Sequence, residues 1–522
     1  MSAGVTRADV AVVGAGPAGL AAAVAAAEAG ASVAVVDAAT QPGGQYWRHR
    51  PETAVPSPDG RGHHDWDVYL DLRARFDAAR GRGRITYLPG RQVWMAQKDE
   101  RGFTLRTAPT VAPLASGAPL ASGAPPASGA PPVAPSRPQG AHPADATAQP
   151  DGGAGPVGGP PSGSAVAAAR LVLCPGGYDR QLPVPGWDLP GVMAAGGIQA
   201  FVKANGVLPG RRFVVAGTGP FLLPVAANIA EAGGEVVAVL ESSSPLAWLP
   251  HVRAAAGVPE KAREGAEYAA VFARHRIPYR TRTVVTEILG ETRAAGVRAA
   301  RVDADGRVRP GTERTYADVD VVGFGWGFTP QLELPVSLGA ETRVDADGSL
   351  VGVVDARQES SVPGLFLAGE VTGVGGAALA VLEGLAAGAA AANGSPRPAA
   401  ELARAERHRR FAHAMHRAHP VPAAWHEWLT PETTVCRCEE VSAAQITSAR
   451  DGLGAGDARS LKSFTRAGMG WCQGRVCGFA ASCLGAGGGG EPSHASLAAS
   501  AKRPLAAPVS IGELAALDPT DS

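Results

Sequence analysis

Cys436-Arg437-Cys438 and, 33 residues further on, Cys472-Gln473-Gly474-Arg475-Val476-Cys477 hold four of the six cysteines in this 522-residue chain. Two thiolates separated by one residue can grip a single iron from adjacent extended backbone. The second pair lies among Gly468, Gly470, Gly474 and Gly478, where turns free of side chains can fold back and close a four-thiolate cage. Soft sulfur ligands with no histidine among them suit a [2Fe-2S] cluster on Cys436, Cys438, Cys472 and Cys477, with surrounding amide N–H groups setting its potential. Structural zinc is the rival, although its cysteine pairs are typically spaced by about two to four residues, wider than this first pair. A disulfide framework does not suit a long chain without a secretory leader. Cys174 and Cys483 fall outside the pattern and read as small packing residues.

A second group of residues could hold the phosphates of a dinucleotide. The apolar run 10–13 leads into Gly14-Ala15-Gly16-Pro17-Ala18-Gly19, an alanine-rich stretch follows, and the run Val33–Val36 ends at Asp37. Gly14 permits a tight strand-to-helix turn, Gly16 lets backbone approach a pyrophosphate at the helix N-terminus, and Gly19 allows close helix–strand packing. Asp37 sits where a carboxylate accepts ribose hydroxyls. A weaker version recurs at Gly217-Thr218-Gly219, where Leu222 takes the third glycine's place and Glu241 ends the next strand. A carboxylate there repels a 2′-phosphate, so Gly217, Gly219 and Glu241 read as an NAD(H) site, with a vestigial or other nucleotide site as the alternative. No catalytic acid or base stands out. His49, His63 and His64 read as surface or packing histidines.

These sites require elements to position them. Length predicts two to four domains, and the alternation of strand-like and helix-like segments predicts an α/β chain with two Rossmann-like domains and a small helical C-terminal domain. The expected boundaries are a first dinucleotide domain over 1–190 and again over 346–398, and a second over 191–345. A connector helix follows over 399–432, a cluster domain over 433–485 and a mostly disordered tail over 486–522. Residues 84–107 suggest a small β-meander. Residues 108–164 collapse into Ala, Pro, Gly and Ser with a six-residue echo, and read as a disordered insert. The 48 basic and 48 acidic residues give no electrostatic case for nucleic acid or an anionic membrane. The glycine-rich stretch 377–392 is broken by Glu383 and does not read as a membrane span. With a first strand expected from about Asp9 there is no room for a leader, so a cytoplasmic location is expected.

Pro42-Gly43-Gly44-Gln45, Pro175-Gly176-Gly177 and Gly369-Glu370 resemble the pattern of two-dinucleotide-domain flavoproteins with the disulfide-reductase architecture. That resemblance implies FAD at the first site and adds Gly44, Gln45, Gly176, Gly369 and Glu370 to its contacts. Glu370 stands where aspartate is more usual, and Cys174-Pro175-Gly176-Gly177 replaces a common Ala-Thr-Gly. No Cys-x-x-Cys occurs, so thiol–disulfide chemistry is not expected.

Longer segments narrow the resemblance: Gly177-Tyr178-Asp179-Arg180, residues 184–193, residues 217–224, residues 369–373 and Met469 to Cys477. They look like the large FAD-binding subunit shared by opine oxidase, hydrogen cyanide synthase, D-hydroxyproline or proline dehydrogenase and heterotetrameric sarcosine oxidase. The C-terminal module resembles bacterioferritin-associated ferredoxin, with a wider second cysteine pair. The resemblance implies a partner β subunit of the D-amino-acid-oxidase type that removes hydride from a C–N bond. This chain's FAD and cluster would then pass the electrons to an acceptor. Two other readings stand beside it: a self-contained NAD(P)H-dependent reductase, and a non-enzymatic iron- or redox-sensing module.

Overall fold

The computed structural model describes residues 5–52, 60, 62–110, 165–487 and 492–515; most of the predicted insert lies outside them. The first sheet contains the parallel strands Ile85–Leu88, Val33–Val36, Val5–Val13 and Ala165–Leu173 in that order, and Leu365–Leu367 joins the far half of the last. The C-terminal ends of its central strands, residues 10–13, 33–36 and 171–173, are continuous buried apolar runs, as a parallel sheet covered on both faces demands. The antiparallel pair Arg91–Asp99 and Gly102–Pro109 extends the same sheet through the near half of Ala165–Leu173. Residues 84–107 are therefore not one meander. Ile85–Leu88 pairs in parallel with Val33–Val36, and its half-exposed edge position produces the alternation that resembles a hairpin. The first strand begins at Val5, ahead of the expected Asp9.

Helix Pro17–Glu28 is almost entirely small residues because a second backbone lies against it. A Cβ on Gly384 or Gly388 of helix Ala377–Ala391 would come within 2.1 Å of the carbonyl oxygens of Ala18 and Ala22. The apolar stretch that could suggest a membrane span is thus a core helix. Among the described residues no helix is long and apolar enough to cross a membrane.

The second sheet is parallel, in the order Tyr279–Thr281, Glu235–Glu241, Arg212–Gly217, Val321–Gly325 and Val192–Ala194. The connector is a helix over Ala399–Ala418. Beyond it, Thr434–Cys436 pairs with Val441–Ser442, and helices Ala443–Leu453, Ala458–Thr465 and Gly478–Gly485 follow. This module does not stand apart. One buried cluster runs from Val214, Phe324 and Trp326 through Trp187, Trp425 and Trp428 to Val435, Ile446, Leu461 and Leu484. Trp187 Nε1 donates to the Thr434 carbonyl at 2.5 Å, sealing the junction.

The expected tail is also partly built. Helix His494–Ala501 and the following residues place Leu497, Ala498, Ala501 and Ala506 on the core under the first sheet. The Ala506 N–H donates to the Trp94 carbonyl at 2.7 Å. The segment is rich in alanine and serine, and composition alone reads that as disorder.

Candidate functional site

At the first glycine loop the backbone explains each glycine. Gly14 has φ +95°, and a Cβ there would lie 2.3 Å from the Cys174 carbonyl oxygen. A Cβ on Gly19 would meet the Gly14 oxygen at 1.8 Å. The Pro42–Gln45 loop is drawn onto this turn: the Gly43 N–H donates to the Ala15 carbonyl at 2.8 Å, and a Cβ on Gly44 would sit 2.7 Å from Gly16 Cα. Gly369 completes the cradle from the opposite side, with Ala18 Cβ 3.1 Å from where its side chain would begin. Gly176 opens onto free space and Gln45 is exposed. Residues from four separate segments therefore converge.

The charges and orphaned groups of this cradle are those a dinucleotide would satisfy. Helix Pro17–Glu28 has no side-chain cap and no acidic residue in its first turn, leaving its first N–H groups for an anion. Burial pushes the Asp37 carboxyl up to about 6, opposed by N–H groups of Ala15 and Ala39. Glu370 Oε2 is buried without a hydrogen-bond partner, and burial followed by repulsion from Glu383 pushes that carboxyl up to about 7. An orphaned acceptor of this kind fits a hydroxylated chain such as a ribityl group.

Beneath it lies a network with no sequence signature. Glu383 Oε2 accepts from the Gly369 N–H at 3.0 Å and the Thr372 hydroxyl at 2.9 Å, while Oε1 accepts from Arg409 Nε and Nη2 at 3.2 and 3.1 Å. The connector helix thereby supports the flavin-type loop. Arg48, half-buried within reach of the Asp37 charge, is a further cation that the motifs do not reveal. His49 is a packing residue, its ring bonded to the Trp47 carbonyl at 2.7 Å and Glu52 at 3.3 Å.

The second glycine loop is differently dressed. Gly217 is obligatory, because a Cβ would meet the Gly325 oxygen at 1.9 Å. Glu241 is buried, accepting from the Gly219 N–H and Ser243 N–H, both at 2.9 Å, and from the Thr218 hydroxyl at 3.1 Å. The connector's end then covers the loop. His419 Cβ lies 3.8 Å from where a Gly219 Cβ would be. Trp248 Nε1 donates to His419 Nε2 at 3.0 Å, which puts the ring proton on Nδ1, 3.6 Å from Glu241 Oε1. His419 thus packs beside Gly219, with Trp248 bonded to it.

The four cysteines come together as their spacing predicts. Cys436 closes its strand and Cys477 caps helix Gly478–Gly485; both are buried, while Cys438 is exposed. The thiols form a chain of contacts, Cys436 to Cys477 to Cys472 to Cys438. Contact with Cys477 holds Cys436 down to about 6 and Cys472 down to about 4, and pushes Cys477 up in return. Backbone N–H groups of Gly468, Glu439, Gly474 and Val476 aim at these sulfurs, as a cluster's anionic sulfur shell requires. Gly470 has to lack a side chain, because Cys438 Cβ would be 2.2 Å from its Cβ. Glu440, Arg466 and Gln473, none of them glycine, hold positive φ around the loops, strain of the sort that persists at functional sites. Among the described residues no three His, Cys, Asp or Glu side chains are arranged to hold one metal ion. Four thiols strung in a chain, with amide N–H groups around them, form a donor set that suits two irons.

A family described as pyridine nucleotide-disulphide oxidoreductase matches residues 8–392, and one described as BFD-like [2Fe-2S] binding domain matches residues 434–482. The chain is 31% identical to an opine oxidase subunit of Rhizobium meliloti (strain 1021), over 98% of each chain. It is 32% identical to hydrogen cyanide synthase subunit HcnB of Pseudomonas aeruginosa, over 60% of this chain and 69% of that one. Among solved structures, L-proline dehydrogenase from P. horikoshii shares the fold, with a TM-score of 0.62 and 17% identity over 98% of this chain and 80% of that one.

Proposed function

The chain belongs to the pyridine nucleotide-disulphide oxidoreductase family and carries a BFD-like [2Fe-2S] domain, which makes it an FAD-dependent oxidoreductase, and we propose that it relays electrons within a complex that oxidises a C–N bond of an amine or imino acid. The end-to-end likeness to the opine oxidase polypeptide, cysteine module included, carries this reading. When bound, FAD supplies two-electron acceptance and the cluster one-electron steps.

The residues divide that work. The N-terminus of helix Pro17–Glu28 and the side-chain-free faces of Gly14, Gly16 and Gly44 bind the pyrophosphate, Asp37 takes ribose hydroxyls, and Glu370 Oε2 accepts from the ribityl chain. Gly19, Gly176 and Gly369 let the surrounding backbone approach, and Gln45 borders the opening. Cys436, Cys438, Cys472 and Cys477 hold the irons as thiolates. No Cys-x-x-Cys accompanies these sites, so a redox disulfide of that kind is not available, and a cluster on the four thiolates would supply the one-electron chemistry.

Relatives named as subunits of larger enzymes support a partner subunit, and the resemblance implies one of the D-amino-acid-oxidase type, to which substrate oxidation is assigned. The test is anaerobic flavin bleaching. The isolated chain should not bleach with opines, sarcosine, proline or hydroxyproline, and co-expression with an oxidase-like partner should restore turnover. Rapid bleaching of the isolated chain by an amino acid would refute the two-subunit reading. An NADH-driven reductase is the second reading, favoured by Gly217, Gly219 and Glu241, and the covering of that loop by His419 and Trp248 weighs against it.

A further inference from the structure

Arg475 lies between the second pair of cysteines, yet its side chain turns inward, away from solvent. Its Nε donates to the Tyr178 hydroxyl at 2.8 Å and sits 2.9 Å from Glu333 Oε1. Nη1 donates to the Cys472 carbonyl at 3.3 Å and to Gln473 Oε1 at 3.2 Å, and Nη2 donates to the Ala506 carbonyl. Arg503 reaches the same Glu333 oxygen at 3.2 Å. The side chains of Arg475, Glu333 and Arg503 are only 11%, 9% and 14% exposed, so the cluster loop, the flavin-side strand, helix Glu333–Ser337 and the C-terminal segment meet in a protected node.

The geometry has a two-residue beat. Arg475 precedes Cys477 by two residues and Phe479 follows it by two. Arg475 meets Tyr178, and Phe479 lies under the Arg180 guanidinium, 4.2 Å from its centre. Tyr178 and Arg180 are themselves two residues apart on the segment leaving Gly176, so they lie on one face of extended backbone. Arg180 is in turn anchored by the Asp347 carbonyl at 2.8 Å and its carboxylate at 3.1 Å. The buried cysteine is thus strapped on both sides to the strand that issues from the flavin-type cradle.

We propose that Arg475 is a positioning residue that docks the cluster loop on the Tyr178 strand and holds a fixed positive charge beside the Cys472 end of the cluster, with Glu333 as its opposing charge. A cation there stabilises the more negative, reduced form. The inference rests on the reading that the four thiolates hold a [2Fe-2S] cluster.

The test is an EPR-monitored redox titration of the full-length, cluster-loaded protein and of Arg475→Gln, Arg475→Lys and Glu333→Gln, with iron, acid-labile sulfide and FAD measured on each sample. Arg475→Gln should shift the reduction equilibrium about tenfold towards the oxidised form, ~59 mV for a one-electron couple. Glu333→Gln should shift it the other way, and Arg475→Lys should stay near the parent. Loosening of the node without an electrostatic role would move Arg475→Gln and Glu333→Gln in the same direction, and that result overturns the proposal. So does an unmoved potential in both. If Arg475→Gln cannot retain iron, the sign of the shift in Glu333→Gln, which leaves the cysteine loop's own residues intact, decides alone. Zinc without sulfide in the parent protein would remove the cluster reading itself, whereas a loaded cluster with unmoved potentials removes only the role given to Arg475.

Discussion

Replacing Arg409 with Gln should weaken the flavin-type cradle from the outside, through a carboxylate it never exposes. Glu383 is 3% exposed and Arg409 43%, so the pair is neither a surface bridge nor a sealed one. Breaking a fully buried pair costs about 3–5 kcal/mol and an exposed one about 0–1 kcal/mol; discounting for the wet side of Arg409 leaves about 2 kcal/mol. For the cooperative unit that contains the cradle this is a fall of about 4–8 °C in melting temperature. The pH dependence gives the sharper signature. Burial already raises the Glu383 carboxyl and Arg409 opposes that rise. Without Arg409 the folded-state pKa climbs further above the unfolded value. The stability conferred by holding that proton is present in acid and is lost as pH rises through the folded pKa. The variant should therefore match its parent at acidic pH and diverge from it as pH increases. Thermal ramps followed by FAD fluorescence and far-ultraviolet circular dichroism, at several pH values, measure this directly. The double variant Glu383→Gln/Arg409→Gln keeps an acceptor for Gly369 and Thr372 without the stranded charge, and should recover part of the loss. Destabilisation of less than about 0.5 kcal/mol at every pH, or strict additivity in the double variant, would refute the reasoning.

Glu370, pushed up to about 7 by burial, contributes stability to the flavin-free protein that is present at low pH and lost as pH rises through 7; Glu370→Gln should flatten that pH dependence in melts of the apoprotein. Cys472→Ser should abolish the cluster's visible absorbance and the expected two or so irons per chain while FAD stays bound, because the first glycine loop packs in a different buried cluster from the cysteines; loss of both cofactors together would show that the two cores unfold as one. NADH should fail to bleach the flavin of the parent protein, and Trp248→Ala/His419→Ala should tighten nucleotide binding measured by calorimetry; rapid bleaching of the parent would restore the reductase reading.

The parts of the site legible in the sequence are those whose chemistry is local. Gly14, Gly16 and Gly19 sit within one turn, and each is required by a backbone oxygen or a ligand approach that no side chain permits. The cysteine pairs announce themselves by ligand softness and spacing. Glu383 and Arg409 do not, since a carboxylate inside an alanine-rich helix looks like an interruption until its partner, 26 residues away, is folded against it. Trp248 and His419 are hidden for the same reason, being 171 residues apart. Arg475 could have been noticed, because an arginine between two cluster cysteines needs a counter-charge. Glu333 and Tyr178 could not, as only the fold brings them to it.

The join between the cysteine module and the second dinucleotide domain follows from size. Residues 434–482 are too few to bury a core of their own, and a module of about fifty residues is marginal without a staple. Here the deficit is met by borrowed tryptophans. Trp187 lies under the Arg437 guanidinium at 5.1 Å and bonds the Thr434 carbonyl, and Trp326 packs on Trp428 with ring centroids 5.7 Å apart. A module stabilised only by its cluster could drift on a linker, and its distance from the flavin would vary. Sharing a core holds Cys436 and Cys477 on the buried side of the module and leaves Cys438 exposed, as is Trp471 at 84%. A cluster held by these four thiolates would therefore have one buried side and one exposed side, and the packing that compensates for the module's small size also fixes which side is which.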